Sequence, residues 1–124
     1  MTTNDPAPSQ HFAVLADRVL ADRWEYSPCE AAVSGLHELD GMLHPVTEQT
    51  IAARVIRLRE SINNLNIIAE EGLTDQERFD RQLMSLGLRY ELFELTDRQG
   101  YRRDPMALMW PLEATAYMDR NYAP

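Results

Sequence analysis

Between Thr74 and Arg98 the chain carries two apolar stripes on opposite sides of what reads as one long helix. At the helical advance per residue, Phe79, Leu83, Leu86, Tyr90 and Phe93 fall within about 80° of arc. Met84, Leu88, Leu92 and Leu95 fall within another arc of about 80° on the opposite side. Arg81 and Glu91 interrupt the second stripe without erasing it. A helix apolar on two opposed faces has to be covered on both. One cover can be a helix of the same chain. The other is the amino-terminal helix, the carboxy-terminal segment, or a surface that this chain does not contain.

The remaining periodicity is helical as well. Thr74-Asp75-Gln76-Glu77 is a capping box that opens the double-faced helix, and Gly100 lies just past its expected end. Upstream, Thr47 caps a long helix with Glu48 in its first turn. Along it Ile51, Val55, Leu58, Ile62 and Leu65 repeat at heptad-like spacing, with Arg54, Arg57, Arg59 and Glu60 on the other sides. Gly72 ends this helix or begins the following turn, so the two long helices form an antiparallel αα-hairpin.

Ser9 can cap a first helix with Phe12, Leu15, Ala16, Val19 and Leu20 on one side. Ser27-Pro28-Cys29-Glu30 combines a cap, a first-turn proline and a glutamate three residues after the cap. The short helix it opens should stop near Gly35. His37 to Pro45 reads as a loop. Asp104-Pro105 starts a further, very apolar helical stretch that Pro111 should kink. The fold class expected is all-α, with four to five helices. Residues 1–10 form a disordered lead and residues 11–124 a single helical domain.

Twenty acidic residues against twelve basic ones give a formal charge of −8. Binding to nucleic acid or to an anionic membrane needs clustered cations, so neither partner is expected. All basic residues are arginine, which excludes a lysine Schiff base and a P-loop lysine. Cys29 is the sole cysteine and cannot form an internal disulfide. Beside Glu30 it reads as a small, partly buried residue in a helix's first turn rather than a thiolate nucleophile. No run is apolar for the ~20 residues a membrane span requires, and Met1 to Gln10 lacks a signal-peptide pattern. The expected location is cytoplasmic.

The densest group of chemically useful residues is Gly35-Leu36-His37-Glu38-Leu39-Asp40-Gly41-Met42-Leu43-His44. A zinc-peptidase helix needs His-Glu-x-x-His, with both imidazoles one turn apart. Here the fourth position after His37 is Gly41, and His44 comes three residues later still. A loop with His37 or Asp40 bonded to backbone groups accounts for the segment better than a metal site. There is no glycine-rich phosphate loop and no Gly-x-Ser-x-Gly nucleophile elbow. The acidic Glu70, Glu71, Asp75 and Glu77 flank a helix turn and read as a solvated face. No catalytic residue and no metal ligand are assigned.

The order of these motifs resembles the amino-terminal portion of a large bacterial family catalogued as domain of unknown function eight-eight-five. The matching features begin with Ser27-Pro28-x-Glu30-Ala31 and Gly35-x-His37-x-x-Asp40, followed by Thr74-x-x-Glu77-Arg78-x-Asp80 and Tyr90-Glu91-Leu92. Arg103-Asp104-Pro105 and Asn121-Tyr122-Ala123-Pro124 complete the set. Longer members look like mostly helical, gluzincin-like zinc peptidases with a His-Glu-x-x-His-type motif far downstream. The resemblance implies that this chain is a non-catalytic amino-terminal segment that shapes or caps a substrate cleft. Zinc would belong to the downstream part, and His37 and Asp40 would sit in the cleft wall. Its partner would be that downstream catalytic part. The alternative is a free-standing helical interaction module that pairs with a second copy of itself.

Overall fold

The computed structural model describes residues 7–43 and 46–109, and among them every regular element is helical. Three long helices carry the fold: α1 (Pro8–Tyr26), α3 (Glu48–Asn66) and α4 (Asp75–Phe93). The short α2 (Pro28–Val33) follows α1, and α5 (Gly100–Arg103) follows α4. A 3₁₀ turn, Glu70–Gly72, joins α3 to α4, and another spans Pro105–Leu108. The apolar carboxy-terminal run from Trp110 onward, with its expected kink at Pro111, lies outside the described residues, as do His44 and Pro45.

The helix starts follow from local chemistry. At α3 the Thr50 amide donates to Thr47 Oγ1 at 3.1 Å, and the Thr47 amide donates to Thr50 Oγ1 at 3.0 Å. At α4 the Glu77 amide donates to Thr74 Oγ1 at 3.2 Å, and the Thr74 amide donates to Glu77 Oε2 at 2.7 Å. Each reciprocal pair satisfies two donors that a helix start leaves open. The box expected at Ser27 does not form. Pro28 begins α2 there, but Glu30 turns back to Arg23 in the last turn of α1 at 2.8 Å, where a charge-assisted bond outcompetes the local amide.

Helix α1 begins at Pro8, with Ala7 rather than Ser9 at the cap position. The helix therefore reaches into the last residues of the expected lead. Proline fits the first helical position because its missing N–H needs no partner there. The Ser9 hydroxyl instead donates to Glu77 Oε1, tying the start of α1 to the start of α4. Gly72 sits against Pro8; a Cβ there would fall 2.5 Å from the proline ring, so only glycine fits the approach.

The core lies between the three long helices. Phe12, Leu15 and Val19 of α1 meet Leu58, Ile62 and Leu65 of α3, Leu88 of α4, and Ile68 and Leu73 of the connection. Met84, Leu92 and Leu95 pack against this cluster, so the second stripe of α4 is the inner one. Leu20, expected on the inner side of α1, is exposed instead. The arc of α1 that α3 and α4 cover is narrow: it runs through Phe12, Leu15 and Val19 to Asp22 and Tyr26, and Leu20 lies off it.

Helices α3 and α4 run antiparallel. Arg54, near the start of α3, reaches Glu91 near the end of α4, while Arg81 near the start of α4 reaches the carbonyls of Leu65 and Ile68. After Phe93 the helix widens into a single π turn, Glu94–Arg98. There the Thr96 hydroxyl donates to the Leu92 carbonyl at 2.8 Å. The helix stops at Gln99 with φ at 50°, one residue before the glycine expected to mark its end. Arg102 on α5 then reaches Glu48 at the head of α3, closing that end of the bundle.

Candidate functional site

Among the described residues, the outer face of α4 is left without a packing partner. Phe79, Leu83, Leu86, Tyr90 and Phe93 are 52–66% exposed, whereas Leu88 on the opposite side is buried. Their separations are 4, 3, 4 and 3 residues, the seam spacing of a coiled coil. The seam runs about 21 Å along the helix axis. Among the described residues nothing encloses these five side chains.

Two features beside the seam bear on what it does. Gly87 stands in mid-helix at its edge, where glycine is about 1 kcal/mol less favourable than alanine. A Cβ there would meet nothing within 4 Å. Packing among the described residues therefore does not call for a glycine at that position, whereas a second backbone approaching the seam would. Arg89 flanks the seam on the other side. Its Nε donates to Ser85 Oγ at 3.3 Å, and it makes no ion pair among the described residues. Leu86 and Arg89 also border an open depression of about 250 Å³ between the end of α3 and α4.

Arg81 forms the inner wall of that depression. It donates to the Leu65 carbonyl at 3.1 Å and pairs with Glu70, so it serves the open carbonyl end of α3. Its Nε is buried without a hydrogen-bond partner among the described residues.

On the inner face lies a polar network that the periodicity placed wrongly. Arg54, placed off the apolar seam on the other sides of its helix, is 4% exposed. Its guanidinium takes Glu91 in a two-pronged bond at 2.7 and 2.9 Å and donates to the Asp22 carbonyl at 3.2 Å. It also lies over the Tyr26 ring, 4.8 Å from the centroid. Burial pushes the Tyr26 phenol above its ordinary range, and the Glu91 charge adds to that while Arg54 opposes it. A signal for this pair exists in the sequence. Arg54 is three residues after Ile51 and four before Leu58, and Glu91 breaks the inner stripe of α4. Opposite charges that interrupt two facing apolar arcs are placed to meet.

His37 and Asp40 are brought together, but by their own turn. His37 Nδ1 lies 3.1 Å from Asp40 Oδ2, and the Asp40 amide donates to the His37 carbonyl at 3.2 Å. Both belong to the turn after α2, and neither lines the depression beside α4. His44 lies outside the described residues. Among the described residues no three His, Cys, Asp or Glu side chains gather as a metal site, and no helix is long and apolar enough to cross a membrane. Cys29 is half-buried in the first turn of α2, as its flanking residues suggest.

No family model, curated protein or solved structure matches this chain.

Proposed function

We propose that this chain is a non-catalytic helical segment that works by laying the outer face of α4 against another polypeptide. One observation carries the reading: five large apolar side chains at seam spacing stand in water on a helix whose opposite face is already packed. Contiguous exposed apolar surface on this scale marks an interaction site. The family resemblance gives the reading a specific form. In it the chain is the amino-terminal segment of a zinc metallopeptidase-like protein, and the covering body is the downstream part that holds the zinc. The turn carrying His37 and Asp40 then belongs to the cleft wall.

The test is hydrodynamic mass together with binding of an apolar dye, measured on the full chain. Dye binding by a dilute monomer, lost when a partner covers α4, is the expected result. A monomer that binds no dye, with unchanged helix content by circular dichroism, would overturn the reading. The peptidase form has its own check in the reading frame that follows this sequence. A continuation carrying His-Glu-x-x-His supports it, and an unrelated continuation removes it.

A further inference from the structure

Resting on the docking reading alone, and in place of the downstream body, we propose that the occupant of the α4 face is a second copy of the same chain, paired in parallel about a two-fold axis. In heptad terms Phe79, Leu86 and Phe93 occupy the d positions and Leu83 and Tyr90 the a positions. Each exposes half to two thirds of a large side chain. At roughly 100 Å² each, the five bury about 500 Å² per copy and about 1,000 Å² across the pair, before the flanks are counted. That reaches the size at which specific association becomes sustainable.

The length of the seam chooses the direction, and the charges at its carboxy-terminal end agree with it. With parallel helices, a g residue faces the e residue five positions on in the other copy. Arg89 then faces Glu94 of the second copy, and symmetry repeats the pair. Arg89 has no ion pair of its own among the described residues, so it enters this contact uncommitted. Glu94 already accepts from Arg98 through both carboxylate oxygens, at 2.9 and 3.2 Å, and each oxygen keeps a further lone pair for Arg89.

Antiparallel pairing does worse in both registers that interleave a with d. In one, Arg89 meets Arg89 and Asp80 meets Glu94. In the other, Phe93 falls opposite Gln76 and a seam layer is lost. Only the parallel register keeps all five layers; it sets unlike charges at their carboxy-terminal end and Asp75 against Asp80 at the other, where Arg78 already holds Asp75 and Gln76 already holds Asp80 within each copy. Gly87, at an e position with open space around it, lets the backbones approach at mid-seam.

The experiment uses the full chain at high micromolar concentration. Sedimentation equilibrium should return twice the chain mass of 14.3 kDa. Leu86→Asp, at an exposed position, should give a monomer with unchanged circular dichroism. Arg89→Glu should raise the dissociation constant by about three- to tenfold. Phe79→Cys in a Cys29→Ser background fixes the direction. Parallel copies place the two new thiols face to face and cross-link under mild oxidation. Antiparallel copies hold them on the order of 20 Å apart, beyond disulfide reach. A dimer that does not cross-link overturns the parallel arrangement. A monomer that still binds an apolar dye overturns the second copy as occupant and leaves the docking reading standing. A monomer that binds no dye overturns both.

Discussion

Arg54 is the residue on which the interior depends most. Its guanidinium is enclosed and satisfied by Glu91, by the Asp22 carbonyl and by the Tyr26 ring. Arg54→Met leaves Glu91 with no cation and should lower stability in urea unfolding by about 2–4 kcal/mol. Adding Glu91→Leu should recover most of that loss, because two apolar side chains need no partners. Recovery of none of it would show that the pair is not what holds α3 to α4 there.

Glu77 gives a pH effect of known sign. The Ser9 hydroxyl, followed by the Thr74 amide and hydroxyl, holds its carboxyl below the ordinary glutamate range. A group whose folded pKa is depressed adds stability above its unfolded value, about 4.3, and loses that contribution as the pH falls through the folded value. Wild type should therefore exceed Glu77→Gln in melting temperature at neutral pH. The gap should shrink as acid is added below about pH 4.3 and vanish once both states are protonated. A gap constant with pH would mean that the carboxylate charge plays no part at the cap.

At the scale of the element, α4 is two helices in one. Its inner face reads out as core and its outer face as surface, although the residue types match. Leu88→Ala should cost about 2–4 kcal/mol, since Leu88 is buried against the three-helix core. Leu86→Ala, two residues earlier, should stay within about 0.5 kcal/mol when measured in dilute solution, because its side chain already meets water. Chemical denaturation of the two variants side by side decides this, and equal losses would mean that the outer face is packed. The capping box at Thr74 and the seam of α3 are also element-scale features, and both were legible in the sequence. They depend on residues three or four apart, which local periodicity sees directly. The box at Ser27 was not legible, because Arg23 of the preceding helix competes for Glu30 and a motif scan weighs no such competitor.

For the whole molecule, pairing through α4 makes stability depend on concentration. If a second copy covers the seam, the melting temperature of wild type should rise as the chain is concentrated, and that of Leu83→Gln should not. Calorimetry across a wide concentration range tests this, and parallel curves would argue against self-association. The sequence by itself determined the all-helical class, the αα-hairpin and the existence of two apolar faces on one helix. Each of these is a matter of spacing along the chain, and spacing survives without coordinates. Tertiary structure alone decided which face is inside. Both stripes are apolar, the inner one broken by Arg81 and Glu91, and the choice came from where α1 and α3 lie, which no local pattern records. It likewise decided that Arg54 is interior, because burying an arginine becomes favourable only when a carboxylate from a distant helix arrives to meet it.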